Sequence, residues 1–330
     1  MHRTSILFLA AITVAAPAPA ATQSSGAERE REREQARIER EQERRDRAAE
    51  RDRERAERDR AGSLDTTVMF DARGTLTVTC PGGAVIVTGA SRNELRVRAR
   101  TENGAIRFTS NGGRATLEPA TGRGCSDGHF EVTVPIGVKV VATTWSGSVS
   151  VRGVRGPLDV RAQSGDVDVR DSGRLDVETL SGDVIVAGVS GETVIHTVSG
   201  GLTLSGAHGD LDIETVSGDL ELNDVVAKQV RAHTTSGDVT FSGPIQTAGR
   251  YEFNTHSGEI VLHLPADIGA ELSLSTFSGG IESDFPITLK AGEHGIGSSQ
   301  AKRLNFTVGR GTARISAETF SGDIALKRRR

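Results

Sequence analysis

The sequence predicts an all-β fold: a single-domain β-solenoid, a β-helix with about 18–21 residues per coil. Three observations predict it. A Ser-Gly pair followed by a β-forming residue recurs nine times, at Ser146, Ser164, Ser181, Ser199, Ser217, Ser236, Ser257, Ser278 and Ser321. Successive pairs lie 18, 17, 18, 18, 19, 21, 21 and 43 residues apart, a period that marks stacked structural repeats. Apolar and polar residues alternate on both sides of each pair, as in Leu158-Asp-Val160-Arg-Ala162 and Val167-Asp-Val169-Arg, which reads as strand, tight turn, strand with one face buried.

Taken in chain order, the first element is a leader to be removed. The apolar run Ile6 to Ala16 is followed by the small-x-small site Ala18-Pro19-Ala20. That is a secretory signal peptide over residues 1–20, too short to span a bilayer as a mature helix. It predicts a soluble, exported protein of the periplasm, the cell surface or the medium, with no transmembrane segment after cleavage.

Residues 21–61 form a polar linker and a charged segment. Glu28 to Arg60 holds 13 acids and 13 arginines. Both residue types favour helix, and opposite charges recur three or four apart, as in Glu41-Arg45. Ile38 is its one large apolar residue, so it has no coiled-coil seam. It reads as a solitary charged helix about 50 Å long if fully formed, or as a disordered leader. Its charges cancel, which disfavours a basic membrane-surface helix.

The solenoid occupies residues 62–330. Aligned on each Ser, the position two before it reads Thr144, Ala162, Thr179, Thr197, Thr215, Thr234, Thr255, Thr276 and Thr319. Positions four before, three after and five after are mostly apolar or β-branched. These columns point inward and stack on their own equivalents. A second glycine corner recurs eight to ten residues after the Ser, as in Gly153-Val-Arg-Gly156 and Gly188-Val-Ser-Gly191. About twelve coils, right-handed by the usual rule for parallel crossovers, would make a rod on the order of 55 Å long. The last gap, about two periods, implies a missing or degenerate copy, and Ala291 to Lys302 interrupts the repeat.

The Ser-Gly motif is a corner before it is a site. Gly147, Gly165, Gly182, Gly200, Gly218, Gly237, Gly258, Gly279 and Gly322 are the turn residues, since glycine enters left-handed backbone without a Cβ penalty. Calcium is a poor fit, because one carboxylate per coil makes a thin oxygen cage. The body after Ala61 is mildly acidic, with 31 acids and 26 bases, which argues against nucleic acid.

Two further constellations stand out. Three residues before each Ser, one outward column reads Arg161, Glu178, His196, Glu214, His233, Asn254. Glu178, His196, Glu214 and His233 are a candidate transition-metal site; a plain surface ladder is the alternative. Cys80 and Cys125 are the only cysteines and, in an exported protein, either form a disulfide or stay as two buried thiols. Phe277 and Phe320, just before their corners, either pack beneath a loop or mark an apolar patch. No catalytic signature and no cofactor motif is present.

The S-G-D-V corners, V-P-I-G-V at Val134 to Val138, I-E-S-D-F-P at Ile281 to Pro286 and E-T-F-S-G-D-I-A-L at Glu318 to Leu326 resemble the bacterial DUF4097 family, adhesin-like proteins with β-strand repeats. The resemblance covers about Leu64 to Lys327 and implies a β-solenoid and an envelope location, with no catalytic residues. The expected function is a non-enzymatic envelope adhesin or scaffold whose partner is a protein, a glycan or another copy of the chain. An envelope lyase or hydrolase built on a β-helix is the alternative.

Overall fold

The structure is a computed structural model that describes residues 33–51 apart from 36 and 39, 62–120 apart from 103, 127–286, and 302–329. The expected signal peptide lies outside the described residues. The chain divides into two units, Met1–Ala56 and Glu57–Arg330. The described part of the first unit is an exposed helix. Its surface carries the ion pairs Arg37–Glu34 at 3.2 Å, Arg45–Glu41 at 2.9 Å and Arg47–Glu43 at 3.6 Å, each one turn apart. None of the described helical residues forms a segment long and apolar enough to cross a membrane.

The second unit is a β-solenoid. One coil shows how the sequence builds it. Leu175–Ser181 buries Leu175, Val177 and Thr179, the chain turns at Gly182-Asp183, and Val184–Val189 buries Val184, Val186 and Val189. The period-two pattern sends these side chains to one interior and sends Asp176, Glu178 and Ile185 outward. Equivalent strands of successive coils pair in parallel and in register. Ser164, Ser181, Ser199, Ser217, Ser236 and Ser257 follow one another along a single ladder. Val149, Val167, Val184, Leu202, Leu220, Val239 and Ile260 follow one another along a second. The inward columns therefore stack on themselves and form one continuous core.

The two ends depart from sequence order. At the C-terminal end, the strand Arg250–Ser257 pairs with Ala313–Ser321, which in turn pairs with Ala270–Ser278. The last coil of the chain is thus inserted between two earlier ones, and Ser321 lies between Ser257 and Ser278. Lys302–Val308 then closes the outer side of Ala270–Ser278 as an antiparallel strand. At the N-terminal end, Thr75–Ala90 lies between the coil Arg114–Pro119/Gly128–Pro135 and Lys139–Arg152. Antiparallel strands Ile106–Ser110 and Glu94–Arg100 cover that outer coil, and Ser63–Met69 pairs onto Glu94–Arg100.

This arrangement corrects the expectation of a missing or degenerate copy. The long final gap is an excursion through the antiparallel strand, and the coil after it re-enters the stack one place inward. Among the described residues the stack has eleven parallel coils, or about 50 Å at the usual strand spacing. The antiparallel caps have a physical role: a terminal coil otherwise presents a row of unpaired backbone groups to other chains.

Candidate functional site

The Ser-Gly corners are structural in a specific way. Gly182 has φ 125°, and a Cβ built on it would lie 2.3 Å from the Gly165 carbonyl oxygen. The same approach of 1.9–2.3 Å onto the neighbouring corner repeats at each of the nine predicted turn glycines, from Gly147 to Gly322. The corners stack as a spine of glycines whose backbones touch, and any side chain would separate the coils. At the second corner, Asp171 and Asp224 take the left-handed conformation, with φ 53° and 51°.

Two side-chain columns stitch this spine together. Asp166 Oδ1 accepts the N–H of Asp183 at 3.0 Å, and Asp183 Oδ1 accepts that of Gly201 at 2.9 Å. Asp219 and Asp238 repeat the bond onto Asp238 and Glu259, and Asp323 repeats it onto Gly280. The aspartates thus bridge coil to coil rather than bonding within their own turn. Four of the buried threonines, Thr234, Thr255, Thr276 and Thr319, serve glycine carbonyls, whereas the Thr144, Thr197 and Thr215 hydroxyls have no partner among the described residues. Thr255 donates to Gly237 O at 3.1 Å, Thr276 to Gly322 O at 2.9 Å and Thr319 to Gly258 O at 3.1 Å. Much of the motif's polar capacity is thus spent on its own stacking.

The outward column three residues before each Ser is in register throughout. Arg161, Glu178, His196, Glu214, His233 and Asn254 are successive neighbours on one exposed face. Arg161 Nε donates to Glu178 at 3.2 Å, and His196 Nδ1 lies 3.4 Å from the Glu214 carboxylate. Among the described residues, no group of three or more His, Cys, Asp or Glu is gathered closely enough to hold a metal ion. Cys80 is buried, with its Sγ 2.9 Å from the Gly82 carbonyl oxygen. Cys125, its expected partner, lies outside the described residues.

Of one further column, the sequence reading singles out only Phe277 and Phe320. The position immediately before each Ser reads, in spatial order of the coils, Trp145, Gln163, Leu180, Val198, Val216, Thr235, His256, Phe320, Phe277. Trp145 is 54% exposed, Leu180 48%, Val216 49% and Phe320 49%. Because the chain bends at the corner, this position and the Ser after it both face outward. The aromatic end is ordered by stacking. His256 lies on Phe320 with centroids 4.8 Å apart, and Phe320 lies on Phe277 at 4.7 Å, with planes within 11° and 5° of parallel. Phe277 and Phe320 are therefore exposed and packed on one another. The signal for this column was present in the aligned repeats, but apolar residues beside a turn read by default as strand ends.

Comparison with known proteins adds a family. The profile of the Toastrack DUF4097 family matches residues 85–327. Three solved structures are similar. A candidate cell adhesion protein from Clostridium sporogenes ATCC 15579 is 9% identical, covering 81% of this chain and all of that one, with a TM-score of 0.23. A candidate adhesin from Bacteroides fragilis NCTC 9343 is 13% identical over 80% of this chain and 96% of its own, with a TM-score of 0.42. A candidate adhesin from Parabacteroides merdae ATCC 43184 is 9% identical over 81% and 96%, with a TM-score of 0.30. No curated protein matches the chain. A match over most of the solenoid, including every Ser-Gly corner, means that the chain belongs to the Toastrack DUF4097 family.

Proposed function

We propose that this protein is a non-enzymatic, exported scaffold of the cell envelope, whose solenoid holds a long surface against a partner. The observation that carries this reading is the exposed column beside the corners, which is apolar at Trp145, over Leu180, Val198 and Val216, and at the Phe320–Phe277 stack, with Gln163, Thr235 and His256 between. Large apolar side chains aligned on a surface, with the core already filled, mark a contact region for another molecule. The partner is a component of the envelope that buries this stripe. The carboxylates on the outer face do not favour the hydrolase alternative: Glu252 pairs with Arg250 and Arg231, and Glu271 faces Arg314.

The test is co-sedimentation of the full chain with an envelope fraction. It is compared with a variant in which Trp145, Leu180, Phe277 and Phe320 are all replaced by Ser. Retention of the wild-type chain and loss of the variant, with unchanged circular dichroism, is expected. Equal retention of both would remove the reading.

A further inference from the structure

We infer that the out-of-order coil at the C-terminal end creates a binding groove for a neutral, hydroxyl-rich saccharide of one or two sugar units. The groove lies on the outer face and has a volume of about 410 Å³, within the range of small-ligand sites. Its shape follows from register. Across four adjacent strands, one row of side chains reads Glu252, Ser316, Ser273, Asn305. The next row reads Arg250, Arg314, Glu271, Thr307. The two serines are short and half-buried between longer neighbours, so they form a floor. Insertion of the last coil brings them together: direct stacking of Ala270–Ser278 on Arg250–Ser257 would set Glu252 beside Ser273 and leave no double-serine floor.

The chemistry selects the ligand class. Two guanidinium groups and two carboxylates surround the floor, so the rim carries no net charge. Glu252 and Glu271 oppose an anion such as phosphate, and Arg250 and Arg314 oppose a cation. Arg250 is paired with Glu252 and Arg314 with Glu271, and the donor and acceptor positions these pairs leave open match the vicinal hydroxyls of a sugar, supplemented by the Asn305 amide and the serine hydroxyls. No apolar side chain faces in. Tyr251, Leu272, Phe306 and Ile315 contribute backbone, and their side chains are buried on the other side of the sheet. A groove without a stacking ring excludes an apolar peptide anchor and holds a saccharide weakly, with Kd of about a millimolar. This groove shares no residue with the apolar column, so the two proposals stand or fall separately.

The test is amide-shift titration of the isotope-labelled full chain with maltose, cellobiose and inorganic phosphate. Saturable shifts at Ser273, Ser316 and Asn305 with at least one disaccharide, and none with phosphate, are expected. A Ser273→Gln, Ser316→Gln double variant fills the floor and should lose at least tenfold in affinity, while the serine variant of the apolar column binds as wild type. Should the double variant fail to fold, Asn305→Ala at the exposed rim should weaken the same shifts. No saturable shift with either disaccharide, an affinity unchanged in the folded variants, or phosphate occupying the groove would overturn the inference.

Discussion

The Thr319 hydroxyl donates to the Gly258 carbonyl at 3.1 Å across 61 residues of sequence. Its equivalent in the outer coil, Thr276, donates not to Gly258 but to Gly322. These two bonds record the insertion of the last coil and set its energetic weight. Ile315, Ala317, Ile324 and Leu326 fill the core between two other coils. Deleting residues 313–330 therefore removes an internal layer, unlike the loss of a terminal repeat. We expect a fall in Tm of roughly 10 °C or more, or loss of the cooperative transition, in a thermal melt followed by circular dichroism. A change within a few degrees would show that the coil sits at the outside of the stack.

Gly182→Val should be far more damaging than Asp183→Ala. The valine places a β-branched side chain at φ 125° and drives its Cβ into the Gly165 carbonyl, a cost of about 4 kcal/mol or more. The alanine loses one bond from the Gly201 N–H to an exposed carboxylate, about 1 kcal/mol. Denaturant midpoints compare them, and equal losses would remove the spine as the main constraint.

The threonine column contains its own control. Thr255 donates to Gly237 O, whereas the Thr215 hydroxyl is buried with no partner among the described residues. Thr255→Val should cost about 1 kcal/mol, because it strips a half-buried carbonyl of its donor. Thr215→Val should be neutral or stabilising, because it removes an unsatisfied hydroxyl. Equal losses in urea unfolding would show that the column is selected for shape alone.

Tyr251 links this chemistry to pH. Its phenol is buried, donates to Ala227 O at 2.8 Å and accepts the Gln246 N–H at 2.8 Å. Burial raises its pKa above the ordinary value of about 10, and the bond from Gln246 partly offsets the rise. A raised folded-state pKa makes the phenol's contribution complete below the unfolded value, and lost as pH climbs from about 10 through the folded one. Stability should hold to about pH 10 and then fall, and Tyr251→Phe should flatten that limb while costing about 1–3 kcal/mol at pH 7. An alkaline limb unchanged in the phenylalanine variant would assign the loss to other groups.

Cys80 takes the threonine position of its coil, in register with Thr144. Cys80 and Cys125 are the chain's two cysteines, and an exported compartment would permit a bridge between them. Digestion of the full chain without reductant should yield one Cys80–Cys125 linked peptide. Two thiols that alkylate in denaturant without reductant would show the bridge is absent. If formed, it stabilises by roughly 4 kcal/mol in the chain-entropy picture.

Sequence alone determined the coil. Side-chain direction in a strand alternates locally, so the Thr, Val and Leu columns could be assigned inward, and Glu178, His196, Glu214 and His233 outward, with no knowledge of their neighbours. The glycine at each corner was equally legible, because its backbone demand is local. Tertiary structure alone decided which coil lies beside which. Coils carrying the same threonine, glycine and aspartate mate equally well with any neighbour, so Ser321 can pair with Ser257 and Ser278 without any change in its own chemistry. The choice falls to the antiparallel strand Lys302–Val308, which closes the outer face of Ala270–Ser278 and leaves the final coil the inner place. The same limit hid the groove and the exposed column. Ser273 and Ser316 are unremarkable until they become adjacent, and an apolar residue before a corner is an outward contact or an ordinary strand end only once the bend of the chain is known.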